Sequence, residues 1–157
     1  RAVDGGATEK GSLDFLDTRP GWRDLAWASL PADGMERVDG EDGDEAYYIR
    51  DTDKLSAGQY PLTNIGYGYF KSQLFSVMLM IPDSDSLRGI RAGLVDAYGP
   101  PTNENGRNAA WRGQRVDLTL TFDTETNQGA VIYFYVPVRD QLEAAEAAAA
   151  ETAAEDL

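Results

Sequence analysis

The stretch Tyr60–Ile81, "YPLTNIGYGYFKSQLFSVMLMI", decides how this 157-residue chain is read. Two runs rich in β-branched and aromatic residues flank Lys71, Ser72 and Gln73, the pattern of a β-hairpin. In the first run Ile65, Tyr67 and Tyr69 fall on one side of the strand. Gly66 and Gly68 fall on the other, where missing side chains let something approach the backbone closely. The second run, residues 73–81, is apolar at both parities, which places it centrally in a sheet.

Working outward, "PDSDSLRGIRAGLVDAYGPP" (82–101) predicts a helix. Asp83, Ser84 or Asp85 can cap it, Leu87, Ile90, Leu94, Val95 and Tyr98 recur at three and four spacing, and Gly99 with two prolines ends it. Gly89 and Gly93 each weaken such a helix by about 1 kcal/mol relative to Ala, so they imply close packing on the sheet, over Gly66 and Gly68. A meander follows: "NAAW", a turn at Arg112-Gly113, "QRVDLTLTF", a turn in "DTETNQG", and "AVIYFYV". Val116, Leu118, Leu120 and Phe122 alternate with Arg115, Asp117, Thr119 and Thr121, so that strand buries one face and wets the other.

Upstream, "AYYIR" (46–50) supplies a further strand. "DFLDTRPGWRDLAWASLPADGMERV" (14–38) is read as an N-terminal anchor, with a turn at Pro20-Gly21 and Ser29 capping one helical turn that contains Pro31. Strands grouped in consecutive runs indicate an α+β fold. The expectation is an antiparallel sheet of about six strands, in two three-strand runs separated by one main helix. No matching residue pattern supports an internal duplication.

Residues 1–12 are polar and glycine-rich and read as a disordered leader, residues 13–138 as one α+β domain, and residues 139–157 as an Ala/Glu-rich solvated helix or linker with no face to bury. The formal charge is −13, and it is concentrated. Residues 39–45 hold five acids and residues 140–157 six, with no base in either stretch, and these account for all but two units of the excess.

That distribution, with only three Lys and eleven scattered Arg, argues against nucleic acid as a partner and against an anionic membrane surface. No apolar run approaches the roughly 20 residues that span a bilayer, so membrane insertion is not expected. The chain has no Cys and no His, which removes disulfides, thiolate zinc sites, the commonest metal ligand and the usual neutral-pH base. No metal and no cofactor is expected.

"DGEDGDE" (39–45) is the nearest thing to a chemical motif. An EF-hand loop needs acids at positions one, three and five, glycine at six and glutamate at twelve. Neither the register from Asp39 nor that from Asp42 supplies them, so the stretch reads as a solvated acidic loop. "DTETNQG" sits between two strong strands and reads as a turn. No nucleophile elbow, phosphate loop or dinucleotide fingerprint is present, so no catalytic residue is assigned. The remaining signal is aromatic. Tyr67 and Tyr69 on one strand, with Tyr133 and Tyr135 on another, could line a face that stacks on a sugar or accepts a peptide, or could pack beneath the helix.

With the strands placed, the chain resembles a family of small, mostly exported bacterial proteins without an established activity. The pattern runs from Leu25 to Trp27, through Tyr48 to Arg50, Ile65 to Phe70 and Leu94 to Gly99, to Trp111 ahead of Val116. Ala28 stands where a glycine often follows the first Trp, and the acidic loop and the tail fall outside the pattern. The resemblance implies an exported, periplasmic or secreted α+β domain and supplies no catalytic residue. The function expected is non-enzymatic binding of a protein, peptide or glycan ligand through a sheet face or edge. The alternatives are a carboxylate-dependent hydrolase of cell-wall or polysaccharide material, marked by two carboxylates in one cavity, and a purely structural accessory protein.

Overall fold

The computed structural model describes residues 9–38 and 44–157. Helix α1 (Leu13–Thr18) leads into two-residue strands β1 (Gly21–Trp22) and β2 (Leu25–Ala26), then β3 (Met35–Arg37) and β4 (Glu45–Arg50). A second short hairpin, β5 (Ser56–Ala57) and β6 (Tyr60–Pro61), precedes β7 (Asn64–Phe70) and β8 (Gln73–Ile81). Helix α2 (Ser84–Tyr98) is followed by β9 (Asn103–Asn105), β10 (Asn108–Arg112), β11 (Val116–Asp123), β12 (Gln128–Tyr135) and helix α3 (Val136–Ala154).

The architecture is α+β and antiparallel, but the main sheet has eight strands rather than about six, in the order β3-β4-β7-β8-β12-β11-β10-β9. The six expected strands are its interior. The two additional ones, β3 and β9, are three-residue edges whose sequences, Met-Glu-Arg and Asn-Glu-Asn, carry no apolar alternation. They exist because their backbones complete the ladders of β4 and β10. Two four-strand meanders therefore meet at the β8–β12 pair, and each is preceded by a helix, α1 or α2. The chain thus repeats a topology without repeating a residue pattern.

The 60–81 stretch folds as read. Lys71 and Ser72 both take left-handed φ, 49° and 62°, which closes β7 on β8 with a two-residue turn of the twist that hairpins favour. Gly68 pairs with Ser76 while Tyr69 pairs with Leu74, so Phe75 is an extra residue that bulges the central strand. Ile65, Tyr67, Leu74, Val77, Leu79 and Ile81 face one common core. Leu118, Leu120, Trp111, Val131 and Tyr133 join it from the other meander, and Leu16, Leu87, Ile90 and Leu94 close it from the helices.

Asp83 is the cap of α2, its carboxylate accepting from the Ser86 amide at 2.8 Å. That bond holds Asp83 below the usual carboxylate range. Gly89 does not sit over Gly66 or Gly68, which lie on the opposite face of the sheet. A Cβ at Gly89 would collide with the ring of Tyr60, so the glycine makes room for the β5–β6 hairpin instead.

The N-terminal segment is more structured than an anchor. Ser12 caps α1, accepting from the Phe15 amide at 3.3 Å. Ser29 caps nothing, because residues 29–32 are not helical and its backbone carbonyl accepts from the Leu74 amide at 3.0 Å, extending along β8. Residues 1–8 of the expected leader lie outside the described residues. Gly11 donates to the Ala97 carbonyl at 2.5 Å, and Lys10 pairs with Asp96 at 2.8 Å.

Asp17 at the end of α1 fixes the second meander. Its carboxylate accepts three consecutive amides, Gln114 at 2.9 Å, Arg115 at 2.8 Å and Val116 at 3.1 Å. Bonds to a charged acceptor contribute about 1.5 to 3 kcal/mol each at most, and these are partly solvated, so Asp17→Ala is expected to cost about 2 to 3 kcal/mol in urea titration. An unchanged midpoint would show that water replaces the carboxylate freely.

The C-terminal tail does have a face to bury, but a short one. Val138 and Leu142, four residues apart on α3, pack with Phe70, Phe75 and Phe134 on the sheet face opposite α1 and α2, and with Tyr135 at the strand end. Arg139 donates to Asp117 at 2.8 Å beside them. From residue 143 onward every position is exposed. Truncation after residue 145 should leave the thermal midpoint within about 1 °C. Val138→Ala should lower stability by about 1 to 2 kcal/mol, since it opens the small second cluster.

Candidate functional site

The four tyrosines share one face of the sheet, and that face is the core side. Tyr67 is 0% exposed, Tyr69 1% and Tyr133 8%, so their rings pack beneath the N-terminal segment and α2 instead of meeting solution. Tyr67 donates to Asp53 at 2.5 Å, Asp53 accepts from Arg50 Nε at 2.8 Å, and the rest of the Arg50 fork reaches Asp24 at 3.1 and 3.2 Å. Burial, reinforced by the Asp53 bond, pushes the Tyr67 hydroxyl well above its ordinary range. Burial pushes Tyr69 up to about 12. Tyr135 is half-buried, stacked on Trp27 at 5.7 Å with its hydroxyl accepting from Arg115 at 3.0 Å. An exposed tyrosine platform is therefore not what these residues make.

Tyr133 does border a space. A cavity of about 220 Å³ lies between α1, the β1–β2 hairpin, the end of α2 and the sheet. Leu16 and Val116 line it together with the rings of Trp22, Trp27, Tyr98 and Tyr133, and Arg19 and Arg23 complete the wall. Arg23 lies over the Trp22 ring at 4.3 Å and donates to the carbonyls of Lys54 and Ser56 at 3.0 and 2.9 Å, so its fork is occupied. The Arg19 guanidinium lies over Phe15 at 5.0 Å. The sequence signal for this cavity is "RPGWR" (19–23), two cations around an aromatic residue at the Pro20-Gly21 turn of the N-terminal anchor.

Among the described residues, the opposite face of the sheet is covered only where α3 crosses one end. Beyond it, register places Gly66, Met78, Ile132, Thr119, Ala110 and Asn103 in one transverse row across six strands. Met80, Ala130 and Thr121 form the next row. Met78 is 37% exposed, Met80 and Ile132 are half-buried, and a Cβ at Gly66 would meet nothing within 4 Å. The apolar character of β8 at both parities thus has two causes: one parity fills the core, while Met78 and Met80 of the other lie on an uncovered surface.

Both sheet edges are short and polar. Glu36 and Arg37 are exposed on β3, as is all of β9, the pattern by which edges resist pairing with another strand. None of the five cavities described is lined by two carboxylates. Among the described residues no group of three or more His, Cys, Asp or Glu converges on a common point. Most of the acidic stretch, residues 39–43, lies outside the described residues, and with it the calcium and solvated-loop readings. "DTETNQG" (123–129) is a turn, with Asp123 accepting from the Glu125 amide at 2.9 Å and Asn127 at φ 58°. Among the described residues no helix is long and apolar enough to cross a membrane. Comparison with protein-family models, with curated proteins and with solved structures gave no match.

Proposed function

We propose that this chain is a non-enzymatic binding domain, working in the bacterial envelope or as a secreted protein, that docks a partner protein on the open face of its eight-stranded sheet. The observation that carries this reading is the row Gly66, Met78, Ile132 and Thr119, all of them partly or fully exposed beyond α3. Methionine adapts its shape to irregular partners, and threonine offers hydroxyls at the margin of such a patch. The row crosses six strands, five spacings of about 4.8 Å, so this part of the face is about 24 Å wide, and the five residues 77–81 beyond α3 add about 17 Å of length. The resulting area, on the order of 400 Å², is about half of the roughly 800 Å² that each partner contributes to a standard interface.

A glycan is less well served, because the rings that would stack on it are inside the core. Peptide addition at an edge is disfavoured by the short, charged β3 and β9. The exported setting rests on the resemblance alone. The test places a photo-crosslinking residue at Met78 and, as a control on the other side of the molecule, at Arg88 of α2. A discrete protein adduct from position 78 that disappears when Ile132→Lys is added supports the reading. Identical adducts from both positions, or adducts that survive Ile132→Lys, contradict it.

A further inference from the structure

The cavity behind the "RPGWR" turn lies on the other side of the sheet and is independent of the docking face. Its charge is one-sided. The Arg19 and Arg23 guanidiniums line it, the latter engaged with backbone carbonyls, beside the Trp22 and Trp27 indoles and the Tyr98 and Tyr133 hydroxyls, which can accept as well as donate. Among the described residues no carboxylate and no side-chain amide lines it, so a cation has no counter-charge there.

One of these cations is left without a counter-charge. Arg19 is exposed and makes no ion pair among the described residues. Its charge reaches the inner end of the cavity, where it favours the ionised forms of both Tyr98 and Tyr133 against the stronger opposing effect of burial. Arg23, whose backbone takes φ 53°, is held in a left-handed turn that non-glycine residues rarely adopt, and this turn is what brings Trp22 and Arg23 to the cavity.

The volume sets the size of the guest. A dry apolar cavity of about 150 Å³ accommodates benzene, and this one is about 220 Å³ with aromatic walls. We infer that the cavity between α1, the β1–β2 hairpin and α2 binds a small monocarboxylate with a flat apolar body, the body lying among Trp22, Trp27, Tyr98 and Tyr133 and the carboxylate meeting Arg19.

Phenylacetate serves as the probe, followed by intrinsic fluorescence of the full chain and by calorimetry. Trp22 and Trp27 line the cavity, so saturable quenching at or below about 1 mM is expected. Phenylacetamide, the neutral analogue, should bind at least about tenfold more weakly, and so should phenylacetate to Arg19→Gln. Arg19 is exposed, so that variant should retain the unliganded thermal midpoint. Trp27→Phe should weaken phenylacetate binding while leaving the acid-to-amide preference in place, because Arg19 remains. Absence of saturable binding, equal affinity for acid and amide, or unchanged affinity in Arg19→Gln would each overturn the assignment. The first shows no site, the second a site without anion recognition, and the third a site elsewhere.

Discussion

Trp111→Ala is expected to cost about 3 to 5 kcal/mol. The ring is 0% exposed and is the largest side chain buried so completely. It also donates its indole N–H to the Gly99 carbonyl at 2.9 Å, and Gly99, with φ 81°, is the residue that ends α2. Truncation therefore opens a cavity in the second meander and leaves the carbonyl at the helix end without this partner. Trp111→Phe separates the two contributions: it keeps most of the ring and loses only the bond, so about 1 to 3 kcal/mol is expected. Urea titration of both variants is the measurement. A loss below 1 kcal/mol for the alanine variant would mean that the core does not extend to β10.

Leu118→Ala and Leu120→Ala should each cost about 2 to 5 kcal/mol, because both side chains are 0% exposed in the middle of β11. Their neighbour Thr119 points the other way, pairs across the strands with Ile132 and Ala110, and is only half-buried. Thr119→Ala should cost less than about 1 kcal/mol. The contrast matters more than either value, since a strand's two parities part company only if one side is packed and the other open. Equal losses at 118 and 119 would mean that both faces of the sheet are covered.

The parts of the fold legible in the sequence are those with a long period. The alternation from Val116 to Phe122, the three and four spacing in α2, and the turn at Lys71 and Ser72 each involve enough side chains to signal an environment. Strands β3 and β9 did not, because three polar residues at a sheet edge are specified by the backbone bonds of the neighbouring strand. Helix α1 is six residues long and depends on Ser12 and Asp17, whose partners lie at Phe15 and at Gln114 to Val116. The Ser12 cap is a local signal, three residues from its partner, whereas the Asp17 bonds span 97 to 99 residues and leave no local pattern.

The site was legible in its residue types and not in their placement. Tyr67, Tyr69 and Tyr133 share a face, as their parity implied, but parity does not say which face is covered. That is decided by where α2 and the N-terminal segment pack, and they pack over the tyrosines. Consequently the apolar residues left outside are Met78 and Met80, from the strand whose apolar residues at both parities place it centrally, and Ile132 of its neighbour β12. The aromatic–arginine cavity draws its walls from α1, the first hairpin, α2, β11 and β12, and no spacing rule joins elements so far apart in the chain.

The account turns on which parity of the central strand faces outward, and the chain's lack of cysteine makes this directly measurable. Single-cysteine variants at Val77, Met78, Leu79 and Met80 would be exposed, folded, to a small thiol reagent and timed. Rapid modification at positions 78 and 80, with positions 77 and 79 protected until denaturant is added, is the predicted result. Protection at all four positions, or reactivity at 77 and 79 in place of 78 and 80, would contradict it.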